Sequence, residues 1–116
     1  MIYGVGVDIV KISRIKRLMQ DTDFIKRFYT DAEAEYIGKK ENTAAAFYAA
    51  KEAYAKALGT GFRAFGLKDV EILHDSQGKP YIKTYKNARR DGCNIQLSLS
   101  HDGDYAIAYV IIESGE

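Results

Sequence analysis

Residues 47–61 read FYAAKEAYAKALGTG, from Phe47 to Gly61. Alanines and a leucine, with no proline among them, favour a helix. Gly59-Thr60-Gly61 ends it, because glycine enters the left-handed conformation that closes a helix. With Ala44, Ala45 and Ala46 ahead of it, the stretch is apolar almost all round. A helix of that kind is a buried one. Lys51, Glu52 and Lys56 interrupt the pattern. Glu52 and Lys56 are four apart and share a face. Charge on a buried helix is costly unless paired or bound to something. Two readings stand: a structural Glu52–Lys56 pair on a half-exposed stripe, or groups that hold a ligand.

Working outward, Met1 to Val10 (MIYGVGVDIV) alternates as a strand. Tyr3, Val5, Val7 and Ile9 share one face; Gly4, Gly6 and Asp8 share the other. Paired glycines in a strand mark close approach of another backbone or a ligand. Asp8 ends that bare face, as a turn residue or as a functional carboxylate. If strand and helix pack closely here, Asp8 and Glu52 come within reach of one cation. Two carboxylates with positions left for water or phosphate is how proteins hold Mg²⁺.

Between strand and helix, Lys11 to Gln20 reads as a short amphipathic helix with Ser13 as its N-cap. Its polar face carries Lys11, Arg14, Lys16 and Arg17 and no acid, and Lys26 and Arg27 continue it. In a chain of net charge +1, that is a solvated face or a docking surface for something acidic. Thr30 and Glu33 have capping-box spacing, opening a helix from Asp31 to about Lys40 with Tyr36 and Ile37 inward. Asn42 or Thr43 then caps the central helix.

After Gly61 the period changes. Leu67 to His74 and Pro80 to Tyr85 form a hairpin across a loop of about four residues. Asn94 to Ser100 is a further strand, His101-Asp102-Gly103-Asp104 a turn, and Tyr105 to Ile112 a central strand with a frayed tail over Glu113 to Glu116. The order is one strand, three helices, then a meander of about four strands. This predicts an α+β domain over residues 1–116, with an antiparallel sheet of roughly five strands packed on helices. Open edges on a small sheet invite self-association.

Composition bounds the function. One cysteine and two histidines exclude a disulfide framework and leave Cys93 no credible zinc site. A net charge of +1 gives no overall argument for nucleic acid or a polybasic membrane tether. No apolar run approaches transmembrane length and no signal peptide is evident, so the expectation is cytoplasmic. Gly59-Thr60-Gly61 offers unobstructed N–H groups, as phosphate sites do, but lacks the GK[ST] element of a Walker loop. Ser98 and Ser100 lie in a strand without a nucleophile elbow, which excludes a serine hydrolase of that type.

Four blocks occur in order: GVGVDIV, FYAAKEAYAKALGTG, GKPYI and SLSHDGDYAIAYV. Together they resemble the holo-acyl-carrier-protein synthase family, the small single-domain 4′-phosphopantetheinyl transferases. The resemblance implies Mg²⁺-dependent transfer of phosphopantetheine from coenzyme A to a serine of apo acyl carrier protein. Adenosine 3′,5′-bisphosphate would be released, in fatty acid biosynthesis. It implies that Asp8 and Glu52 bind the metal and that Lys56 contacts the phosphates. Gly59, Thr60 and Gly61 would lie near the coenzyme, Pro80 would line its adenine side, and Ser100 and His101 would meet its phosphates. Asp8, Glu52, Lys56 and His101 form the implied catalytic set. The helix around Arg14 and Arg17 matches the family's surface for an acidic carrier helix. The assembly implied is a homotrimer with the coenzyme between subunits. The serine proton would go to Glu52, or to a water held by Asp8 or the metal. One position departs: many members carry arginine where this chain has Phe47, a contact to be lost or replaced by Lys51 or a neighbouring subunit. The rival readings are an acidic-protein adaptor and a different Mg²⁺-dependent nucleotide enzyme such as a pyrophosphatase.

Overall fold

The computed structural model describes residues 1–63 and 65–115. Among these the order is β1 (Ile2–Lys11), α1 (Ile12–Leu18), α2 (Thr22–Phe28), α3 (Asp31–Ile37), α4 (Glu41–Leu58), β2 (Val70–His74), β3 (Pro80–Thr84), β4 (Cys93–Asp102) and β5 (Tyr105–Ser114). The α+β class and the antiparallel pairing are as the sequence predicts. The central helix α4 is buried along most of its length and ends at Gly59, whose φ of 84° is left-handed. The Thr30–Glu33 capping box opens α3.

β1 lies on α4 with its glycine face. A Cβ built on Gly6 would stand 1.9 Å from the Ala53 carbonyl oxygen, and one on Gly4 would stand 2.0 Å from that of Ala57. Only glycine permits that approach. The other face of β1, with Val5, Val7 and Ile9, is exposed. β5 is central, in the order β1-β5-β4, and turns Ala106, Ala108 and Val110 onto α4. Its opposite face presents Tyr105, Ile107 and Tyr109 to the surface.

Several expectations are corrected. The sheet is split: β2 and β3 pair with each other, and β1, β5 and β4 form a separate three-stranded sheet. Four helices replace three, because Asp21 caps a separate α2 by accepting the Asp23 N–H at 2.9 Å. Ser13 is not an N-cap. Lys11 holds that position with no side-chain cap bond. Ser13 lies inside α1 and is held by Asp104, which accepts its N–H at 3.0 Å and its hydroxyl at 2.7 Å. The β4–β5 turn thus does the capping from across the fold. Neither Asn42 nor Thr43 caps α4; Lys40 is the N-cap residue and makes no side-chain bond. α3 stops at Gly38, before Lys40, and Tyr36 stays half-exposed, stacked on His74 with ring centroids 4.1 Å apart. β4 runs through His101 and Asp102, so the turn there is shorter than expected. The C-terminal stretch is paired rather than frayed through Ser114, while Glu116 lies outside the described residues.

Candidate active site

Asp8 reaches the site because Gly4 and Gly6 let β1 settle on α4. Its Oδ1 accepts from Lys56 Nζ at 3.0 Å, and the same ammonium donates to the Val7 carbonyl at 3.0 Å. Asp8 is mostly covered, whereas Lys56 is more than half exposed. Of the two readings of these charges, the structural Glu52–Lys56 pair is therefore not what Lys56 makes. Its partner is on the strand, and Glu52 is left facing Asp8.

Burial holds the Glu52 carboxyl above the usual range, and the neighbouring Asp8 charge raises it further; Lys56 and Arg14 pull it back. Two carboxylates near enough for one charge to act on the other, with the Lys56 ammonium bonded to the strand, form a site short of positive charge. Among the described residues no group of three or more acids, histidines or cysteines gathers anywhere. Asp8 and Glu52 are two hard oxygen donors that could hold a divalent cation such as Mg²⁺, whose other positions water and substrate would fill.

Arg14 enters from α1. Its Nη2 donates to the Tyr48 hydroxyl at 3.3 Å, and its guanidinium lies 5.5 Å from the centre of that ring. Arg14, Arg17, Lys11 and Leu18 line one cleft. The basic face of α1 therefore borders the Glu52 side of the site. Spacing along the chain gave no sign of the Tyr48 contact, which depends on how α1 crosses α4.

The other expected residues lie farther off. Asp8 is opposite Ala108 in β5, and Ala108 is opposite Leu99 in β4. His101 is thus two strands away and two residues further along. It lines a cleft with Lys40, Glu41, Asn42 and Thr43 at the start of α4. Ser100 and His101 fall on opposite faces of β4 by alternation. Pro80 begins β3 and pairs with His74. Gly59, Thr60 and Gly61 follow directly on α4, Gly59 donating to the Ala55 and Lys56 carbonyls at 3.1 Å. One chain therefore assembles Asp8, Glu52, Lys56 and Arg14, and leaves Pro80, Ser100 and His101 elsewhere on its surface.

Phe47 is buried against Tyr36 and His74. Lys51 does not stand in for the arginine that Phe47 replaces. It is fully buried and paired with Glu33 at 2.8 Å.

Residues 4–110 match the 4′-phosphopantetheinyl transferase superfamily. This chain belongs to that superfamily. The holo-[acyl-carrier-protein] synthase of Clostridium botulinum strain Eklund 17B is 50% identical, over 97% of this chain and 98% of the relative. That of Clostridium beijerinckii is 47% identical, over 98% and 99%. Among solved structures, a holo-(acyl-carrier-protein) synthase from Bacillus anthracis in complex with coenzyme A (3′,5′-ADP) superposes with a TM-score of 0.86, at 33% identity over 98% of each chain. The enzyme from Neisseria meningitidis gives 0.87 at 38% identity, over 98% of this chain and all of the other. This transferase thus shares its fold with the holo-acyl-carrier-protein synthases from end to end. Its paired carboxylates sit on the β1–α4 contact that organises that fold.

Proposed function

We propose that residues 1–116 act as one domain that transfers 4′-phosphopantetheine from coenzyme A to a serine of apo acyl carrier protein. The observation that carries this reading is the Asp8–Glu52–Lys56 group on the β1–α4 contact, within a chain about half identical to holo-acyl-carrier-protein synthases. The carrier serine oxygen bonds to the β-phosphorus of coenzyme A. The bond from that phosphorus to the bridging oxygen breaks, and adenosine 3′,5′-bisphosphate leaves with the electron pair. Such transfers are accelerated mainly by positioning and charge stabilisation. Mg²⁺, held by Asp8 and Glu52, supplies neutralisation of the pyrophosphate when bound. Lys56 is exposed enough to leave Asp8 and follow the transferring phosphoryl oxygens. The serine proton goes to Glu52 or to a water held at the site by Asp8. The product belongs to fatty acid biosynthesis.

The remaining groups complete the site from a second copy. Val5, Val7, Ile9, Ile107 and Tyr109 leave an exposed apolar face two strands wide. Faces of that extent mark interaction surfaces. Pro80, Ser100 and His101 lie away from Asp8 on the same chain, so a neighbour that brings its own Pro80, Ser100 and His101 to this chain's Asp8 and Gly59–Gly61 would close the coenzyme cleft. We read the assembly as a homotrimer. Sedimentation velocity tests it: a sole species at the 13.0 kDa of one chain would overturn it. No described helix is long and apolar enough to cross a membrane, and we place the enzyme in the cytoplasm.

The test of function is to incubate the protein with coenzyme A, Mg²⁺ and apo acyl carrier protein and weigh the carrier. A mass gain of one phosphopantetheine arm supports the reading, and none across several carriers overturns it. Carrier docking is assigned to Arg14 and Arg17. The double reversal Arg14→Glu/Arg17→Glu should raise the KM for carrier by about 10–100-fold and flatten its salt dependence. Because Arg14 also faces Glu52, Arg17→Glu alone is the cleaner arm. It should move carrier KM without moving coenzyme KM, and unchanged carrier kinetics would remove the docking assignment.

A further inference from the structure

Lys51 is a buried cation that the transfer chemistry does not use. Its side chain is wholly covered. Its Nζ donates to Glu33 Oε1 at 2.8 Å, to the Leu67 carbonyl at 2.9 Å and to the Val70 carbonyl at 2.7 Å. An ammonium has three protons, so its capacity is filled. Burial lowers its proton affinity, and Glu33 opposes that. Glu33 is spent as well: Oε1 also accepts from the Thr30 N–H at 2.9 Å, and Oε2 from the Ile72 N–H at 2.8 Å.

A buried pair of this kind is weak evidence for stability, since each ion costs several kcal/mol to desolvate and apolar residues of like volume serve as well. The informative feature is where the bonds go. Two of the three end on main-chain carbonyls at the close of the α4–β2 connection, one on the first residue of a short 3₁₀ turn over Leu67–Asp69 and one on Val70 just after it. That connection begins with Gly59-Thr60-Gly61. Its near end is fixed by Gly59 bonding back to Ala55 and Lys56. Lys51 fixes its far end to the same helix.

We propose that Lys51 is a positioning residue for the coenzyme side of the site, acting through the connection that carries Gly59–Gly61. This rests on the transferase reading above. Lys51 does not set Glu52, although it adjoins it. The contact that seats β1, and with it Asp8, on α4 joins Gly4 and Gly6 to Ala57 and Ala53 and involves no part of Lys51. Loss of Lys51 frees the far end of that connection and leaves the carboxylate pair in place.

The experiment compares the wild-type enzyme with Lys51→Met and with Lys51→Met/Glu33→Gln, which removes both charges so that no carboxylate is stranded. The expected result for the double variant is a cooperative unfolding transition and a KM for coenzyme A raised by about 10–100-fold, as for other supporting residues. The kcat, the carrier KM and the Mg²⁺ concentration dependence should stay near wild type. A residue that matters only for folding would lower the active fraction and leave coenzyme KM alone, and that outcome overturns the proposal. So does a shifted Mg²⁺ dependence, which would show that Glu52 had moved. Hydrogen exchange on the unaltered protein decides the matter if neither variant folds. The Asp69 and Val70 amides, which donate to the Gly66 and Leu67 carbonyls of the tethered turn, should exchange as slowly as those of α4, and exchange at the rate of an untethered loop overturns the assignment. A wild-type enzyme that transfers nothing would count against the proposed function instead.

Discussion

Glu52→Gln is expected to leave a folded protein whose transfer rate falls by at least about 10²–10³-fold, the scale set by losing one group that meets transition-state charge. The amide keeps the size of the side chain but removes the negative charge and the strong metal donor. The same change should make the metal-free protein more resistant to heat. Burial, and then Asp8, raise the Glu52 proton affinity in the native state. The folded chain therefore holds this proton more tightly than the unfolded one. Stability is largest where both states are protonated, and it falls as pH rises from the ordinary carboxylate range through the raised folded value. At neutral pH the wild type has lost that contribution, and glutamine never does. Thermal melts in chelator should show a higher midpoint for Glu52→Gln at neutral pH, with the gap closing in acid. Added Mg²⁺ should raise the wild-type midpoint by mass action and leave the variant where it is. A variant that melts lower than wild type at neutral pH without metal would contradict the like-charge account.

The elements legible in the sequence were those written into local patterns. The alanine run, Gly59 and the Thr30–Glu33 spacing located α4, its end and the start of α3, because each is satisfied within a few residues of itself. Gly4 and Gly6 announced close packing, and Ala53 and Ala57 are what they pack on. Less legible was anything that depends on which elements meet. Ser13 has the chemistry of a cap, yet its partner Asp104 arrives from the β4–β5 turn, most of the chain away. Lys56 was four residues from Glu52 and still bonded Asp8, because the strand offers a carboxylate and a carbonyl together. Lys51 looked like a cation free to replace a missing arginine. Its real partners, Glu33 and the carbonyls of Leu67 and Val70, carry no mark in the sequence around it. The split between the two sheets was hidden for the same reason: alternation assigns faces, not neighbours.

Gly6→Ala is expected to be the most damaging single methyl group that can be added to this protein. The new Cβ would lie 1.9 Å from the Ala53 carbonyl oxygen and 2.8 Å from the Ala57 nitrogen. Both are main-chain atoms of a regular helix, so no rotamer change relieves the contact. Either β1 lifts away from α4 or the helix deforms, and overpacking of this kind costs about 3 kcal/mol or more. The strand that lifts is the one that carries Asp8, two residues on. Displacing Asp8 from Glu52 and Lys56 by even about 1 Å should cost a further ~10²-fold in transfer, measured per folded molecule. Gly38→Ala is the control. Gly38 has φ of 56° and ψ of −116°, a conformation that suits glycine, and nothing within 4 Å of a built Cβ, so it should lose only the backbone strain of an alanine held there, about 1–3 kcal/mol, and keep its activity. Ala53→Gly should not rescue Gly6→Ala, because the atom in the way is a carbonyl oxygen that every residue carries. Urea unfolding with single-turnover kinetics on the folded fraction separates the two costs. If Gly6→Ala proved as stable and as active as Gly38→Ala, the close strand–helix contact could not be what brings the two carboxylates together.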